Sequence, residues 1–141
     1  MFGTKAFEDG FFGDDGLGNS TQIMPSIEIQ IEREGAVDAL IRLSKLHPKQ
    51  ITLLALGPLT NLALVSQSDP EFFNNLAQVV CMGGLLDVLG NVGPNKEFNF
   101  FVDPESVDRV LKSSDPCPLV FCTWDMAYRH RMPWVIIIIF N

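Results

Sequence analysis

Apolar and polar positions along the chain change period several times, and each change marks an element. Residues 1–26 are rich in Gly, Asp and Phe without a regular period and read as a loop. Ile27, Ile29 and Ile31 then alternate with Glu28, Gln30 and Glu32, the period of a short strand, although this stretch also fits an extension of the following helix. Val37, Leu40, Ile41 and Ser44, with Ala36 and Leu43 beside them, form a helical stripe. His47-Pro48 ends it, because a residue before proline is pushed out of the α region. Ile51 to Leu56 is a nearly continuous apolar run, as in a parallel strand covered on both faces. Gly57-Pro58 breaks it and predicts a helix over Leu59 to Val65, with proline in its favoured early position.

The pattern repeats further on. Asp69-Pro70 predicts a short helix through Leu76, with Asp69 as its cap. Gln78 to Met82 reads as a second buried strand, stopped by Gly83-Gly84. Residues 85–102 read as a loop, too long and too particular to be mere connection. Asp103-Pro104-Glu105 opens a helix through Lys112, and Pro118 to Thr123 is a third buried strand. Strands alternating with helix-length crossovers predict an α/β fold: an open, mostly parallel sheet with helices on both faces. Ligands of such sheets bind beyond the carboxyl ends of the strands, so the loops after Leu56, Met82 and Thr123 are the places to search.

Composition narrows the class. The chain has 141 residues, 47% of them apolar and 19% charged, which suits a packed core and argues against disorder. A net charge of −7 disfavours nucleic-acid binding through a broad basic face. No apolar run approaches the ~20 residues of a membrane-spanning helix, so no membrane partner is expected. The start, MFGTKAFEDG, lacks a charged n-region followed by an apolar h-region, and the odd number of cysteines (Cys81, Cys117, Cys122) has no metal-like spacing. Together these point to a reducing, cytoplasmic setting. The cysteines lie in or near apolar strands and read as core residues.

The strand ends carry the distinctive residues: Leu56-Gly57-Pro58-Leu59-Thr60-Asn61, then Met82-Gly83-Gly84 with Gly90-Asn91 and Glu97-Phe98-Asn99, then Trp124-Asp125. Asn91, Glu97 and Asn99 offer amide and carboxylate groups able to grip adjacent hydroxyls of a sugar. The competing reading is that Asn and Gly make turns and that Glu97 is solvated. Trp124 and Asp125 could face the site as well.

Taken in order, DGLGN (15–19), AVDALI (36–41), ITLLALGPLTNLAL (51–64), MGG (82–84), GN (90–91) and EFNFFVDPES (97–106) resemble the inosine-uridine-preferring nucleoside hydrolases. The resemblance covers residues 1–125, leaving 126–141 as an unmatched tail. It implies hydrolysis of the N-glycosidic bond of a small-molecule ribonucleoside to ribose and base, with bound calcium and a possible homo-oligomer. By position, it implies ribose contacts at Asn91, Glu97 and Asn99, a sugar-pocket wall at Met82, pocket shaping at Phe98, and a calcium-binding backbone carbonyl at Leu56.

Two parts of the family pattern have no counterpart. Its opening aspartate cluster, D-x-D-x-G-x-D-D, supplies the calcium carboxylates and the general base. Asp9, Asp14 and Asp15 are not that cluster, because no buried strand leads into them. Asp15-Gly16-Leu17-Gly18 matches a later loop, in which Phe12 replaces a histidine, and Asp14 reads as solvated. The family's C-terminal His-Asp region is also unmatched, and His130 reads as an exposed basic residue. No catalytic base is therefore identified, and a calcium site built on Leu56 alone is expected to be very weak. The expectation is the middle of a larger α/β hydrolase, with a non-catalytic fragment or weak nucleoside- or ribose-binding module as the alternative.

Overall fold

The computed structural model describes residues 31–130 together with Asp14 and Asn19. The alternating segment around Ile27 and Ile29, Asp9, Phe12, Asp15 and the tail beyond residue 130 lie outside the described residues, and Ile31 is in no strand.

The order is α1 (Ala36–Leu46), β1 (Thr52–Ala55), α2 (Thr60–Ser68), a 3₁₀ turn (Phe73–Asn75), β2 (Gln78–Met82), α3 (Phe98–Val102), α4 (Pro104–Ser113), β3 (Leu119–Cys122) and α5 (Trp124–Arg129). The three strands form one parallel sheet in the order β1-β2-β3. Leu53, Val79 and Leu119 share one register row, and Ala55, Cys81 and Phe121 share another. Because side chains alternate along a strand, these six face the same way. They pack against the core formed by Leu59, Leu62, Val65, Phe72, Phe73 and Val110 with their neighbours. The predicted open parallel sheet is thus what forms.

Four details differ from the sequence expectation. Among the described residues the helices of the core cover one sheet face. On the other, Leu54 is 62% exposed and Val120 45%, so those strands are not covered on both sides as their apolar runs predict. Asp69-Pro70 does not start an α-helix. Asp69 instead caps the end of α2, its N–H donating to Val65 O. The bonds from Phe72 N–H to Asp69 O and from Leu76 N–H to Phe73 O then make tight three-residue turns. The consecutive Phe72 and Phe73 are both in the core, at 0% and 1% exposure. The third difference is that residues 98–102 of the predicted loop are helical. Finally, α5 follows β3 directly, where no element was expected.

Asp103-Pro104 behaves as predicted. Asp103 is the N-cap of α4, its side chain accepts the Ser106 N–H at 3.2 Å, and proline occupies the first turn. Thr60 O–H donates to the other oxygen of Asp103 at 2.5 Å, which ties the start of α2 to the start of α4.

Candidate functional site

The site forms where β1 and β2 end. Asn99, in the first turn of α3, is 6% exposed. Its side-chain Nδ2–H group donates to Leu56 O at 3.3 Å and to Met82 O at 3.0 Å, and approaches Met82 Sδ at 3.2 Å. One amide thereby joins the carboxyl ends of two neighbouring strands. Among the described residues no backbone N–H outside the strands donates to either strand-end carbonyl, and the Asn99 amide supplies a buried donor.

Glu97 is the N-cap of α3 and is 3% exposed. Its Oε1 accepts the Asn99 N–H at 2.9 Å, while Oε2 accepts the N–H groups of Gly84 at 2.9 Å and Phe100 at 3.1 Å. A charged acceptor at a helix start is favourable, and three N–H donors offset the cost of burying it. The solvated-Glu reading is thereby excluded. Gly84 has φ +75°, a conformation that favours glycine, and a Cβ there would meet the Phe100 ring at 3.0 Å.

Asn91 belongs to a small hairpin closed by the bonds of Val92 N–H to Lys96 O and of Lys96 N–H to Gly93 O. Its Oδ1 accepts the Phe98 N–H at 2.8 Å. Gly90 is the tight point of this hairpin, since a Cβ there would lie 2.0 Å from Lys96 O. The six positions singled out in the sequence, Leu56, Met82, Asn91, Glu97, Phe98 and Asn99, are therefore one hydrogen-bonded group. Asn99 Oδ1, Asn91 Nδ2 and the fourth lone-pair site of the Glu97 carboxylate are not used in these bonds. They provide two acceptors and a donor, the complement of vicinal hydroxyls. A cavity of about 340 Å³ adjoins Glu97 and is lined by Gly84, Leu85, Lys96, Phe100 and Phe101, but it reaches neither Asn91 nor Asn99.

Asp125 is a residue whose part the sequence left open. It lies in the first turn of α5, is 5% exposed, and accepts the N–H groups of Leu86, Asp87 and Val88 at 2.8, 2.8 and 3.1 Å. These bonds, that of Asp87 foremost, hold its carboxyl down to about 2, against the opposing effect of desolvation. The signal available in the sequence was a polar residue directly after a buried strand, in a sheet whose ligands bind at strand ends.

The remaining candidates lie apart from chemistry. Asp14 is exposed, and its backbone N–H donates to Asn19 Oδ1. His47 and His130 are exposed and end α1 and α5. Burial, with a smaller effect from nearby Cys122, pushes the Cys81 thiol up to about 11, and burial also raises Cys117, so these two are core thiols rather than nucleophiles. Among the described residues no group of three or more His, Cys, Asp or Glu side chains is placed to hold a metal ion. No helix among them is long and apolar enough to cross a membrane.

The parallel sheet, the helices packed on it and the polar groups at its strand ends define an α/β protein. A sequence profile of the inosine-uridine preferring nucleoside hydrolases matches residues 2–138, and the chain belongs to that family. It is 50% identical over 99 residues to the probable uridine nucleosidase 2 of Arabidopsis thaliana, covering 70% of this chain and 30% of that protein. It is 36% identical over 124 residues to the pyrimidine-specific ribonucleoside hydrolase RihA of Shewanella woodyi, covering 88% of this chain and 38% of that one. Among solved structures, a plant nucleoside hydrolase superposes with a TM-score of 0.78 at 32% identity, covering 89% of this chain and 38% of its own. A purine-preferring ribonucleoside hydrolase from Gardnerella vaginalis also gives 0.78, at 29% identity over 87% of this chain and 38% of its own. The chain thus spans 30–38% of the length of these relatives.

Proposed function

We propose that this chain carries the ribose-holding part of a nucleoside hydrolase, whose reaction splits the N-glycosidic bond of a purine or pyrimidine ribonucleoside with water to give ribose and free base. The observation that carries the reading is the joining of Leu56, Met82, Glu97 and Asn99 at the ends of two adjacent strands. In this reading Glu97, Asn99 and Asn91 bind ribose hydroxyls, Met82 forms a wall of the sugar pocket, and Phe98 shapes it. Cleavage passes through an oxocarbenium-like ribosyl cation. A buried carboxylate and an amide oxygen near that cation attract it more strongly than the neutral sugar, which is how binding becomes rate.

Calcium enters this reading only through the family resemblance, which assigns Leu56 O to it. Calcium takes about six to eight oxygen ligands. Leu56 O already accepts from Asn99, and the described residues hold no carboxylate cluster beside it. They do not fit a calcium site, and no step here passes through the ion. A cytoplasmic setting and a homo-oligomer belong to the same reading, the former supported by three free cysteines.

A specific observation favours a second reading, a nucleoside-binding module without turnover. The two buried carboxylates at the strand ends, Glu97 and Asp125, each accept three backbone N–H groups, so neither is placed as a free base for water. Release of base from uridine and inosine by the purified chain, with and without calcium and beside a Glu97→Ala control, tests the first reading. Turnover above the control supports hydrolysis. Uridine binding without turnover selects the second reading, and neither binding nor turnover overturns both.

A further inference from the structure

We propose that Asp125 is a positioning residue for the sugar-side loop, holding residues 84–91 so that Asn91 meets the Glu97–Phe98 segment. The inference rests on the ribose-holding reading for its functional consequence but on geometry for its substance.

The loop from Gly84 to Asn91 connects the end of β2 to the site, and little apolar packing fixes it. Leu86 and Leu89 are each 75% exposed. Its shape is set by polar ties to the start of α5. Asp125 Oδ2 accepts from Leu86, and Oδ1 accepts from both Asp87 and Val88. Its neighbour Trp124 brackets the same stretch. The Trp124 backbone N–H donates to Gly84 O at 2.8 Å, and its indole Nε1–H donates to Leu89 O at 3.1 Å. Glu97 holds the start of the loop through the Gly84 N–H, and Asn91 holds its end through the Phe98 N–H. Remove Asp125 and residues 86–88 lose all three of these bonds, leaving the two Trp124 bonds at Gly84 and Leu89 on either side.

The residue type follows from the donors. Three N–H groups converge on two oxygens, which only a carboxylate can satisfy with both atoms. An asparagine would present an NH₂ group to an N–H, and an alanine would leave three donors without a partner. The N–H groups that the Asp125 carboxylate accepts all belong to this loop, so its proposed effect is on the placement of Asn91.

The test uses the full chain with Asp125→Asn and Asp125→Ala, observed by NMR. Expected is at least a tenfold rise in amide exchange at Leu86, Asp87 and Val88 in both variants, with exchange at the core residues Val79 and Val110 unchanged. The Phe98 amide and the Asn91 side-chain signals should shift, and the affinity for uridine should fall at least fivefold. Unchanged Phe98 and Asn91 signals in a folded variant overturn the proposal, whatever happens at residues 86–88. If neither Asp125 variant folds, Asp125→Glu, which keeps the carboxylate but displaces it from the Leu86, Asp87 and Val88 N–H groups, decides it by the same signals. If the wild-type chain gives no uridine response, the ribose-holding reading fails, and the Phe98 and Asn91 signals alone decide the positioning.

Discussion

Thr60 donates its hydroxyl to Asp103 across 43 residues of sequence, at 2.5 Å. The same carboxylate caps α4 through the Ser106 N–H and is 1% exposed. One buried aspartate therefore fixes the N-terminal ends of two packed helices. The GPLTN and VDPE segments, far apart in the chain, meet at this bond.

The pair is expected to be energetically coupled. Thr60→Val and Asp103→Ala should each cost roughly 1–3 kcal/mol, the usual range for leaving a buried partner unsatisfied or losing a cap. The double variant should cost less than their sum by at least about 0.5 kcal/mol. Urea denaturation of the four proteins measures this, and simple additivity would show that the bond carries no energy of its own.

Asn99→Asp should be worse than its small size change implies. The substitution places a carboxylate oxygen where an NH₂ group now faces Leu56 O and Met82 O. Roughly 1–3 kcal/mol of stability should be lost at neutral pH. Part of it should return as the pH falls and the new carboxyl gains a proton to donate. A urea midpoint equal to that of the wild type would contradict the bridging role.

Asp125 gives a pH signature. Its carboxyl has an ordinary value of 3.8 and is lowered to about 2 in the folded chain, first by the Asp87 N–H. The unfolded chain binds the proton more tightly, so this group's contribution to stability is fully present above 3.8 and is lost as the pH falls toward 2. Asp125→Asn should therefore flatten the dependence of the urea midpoint on pH in that window, while leaving its slope near neutrality unchanged. An identical acid limb in both proteins would place the titrating group elsewhere.

The legibility of the fold follows from the range of the forces involved. β2 is found where its apolar run and Gly83-Gly84 put it, and α4 starts where Asp103-Pro104 puts it. Those signals are local: a run of apolar side chains, a cap three residues from its N–H, a ring that fixes φ. Asp69-Pro70 carries the same local signal and misleads, because Asp69 is already engaged as the C-cap of α2 and only short three-residue turns follow it. Glu97 was recognisable as a site residue but not as a cap, since glutamate is outside the usual N-cap set and its partners include Gly84, 13 residues away.

By itself the sequence determined the parallel α/β pattern, the strand-end location of the polar residues and the family to which they belong, because each depends on residue type and spacing along the chain. Only the tertiary structure decided that Asn99 spans Leu56 and Met82, that Asp125 holds the loop before Asn91, and that one sheet face is left uncovered among the described residues. These are contacts between segments 17 to 43 residues apart, set by the register of three strands and the packing of helices on them. No local preference encodes a bond whose donor and acceptor meet only after the sheet has formed.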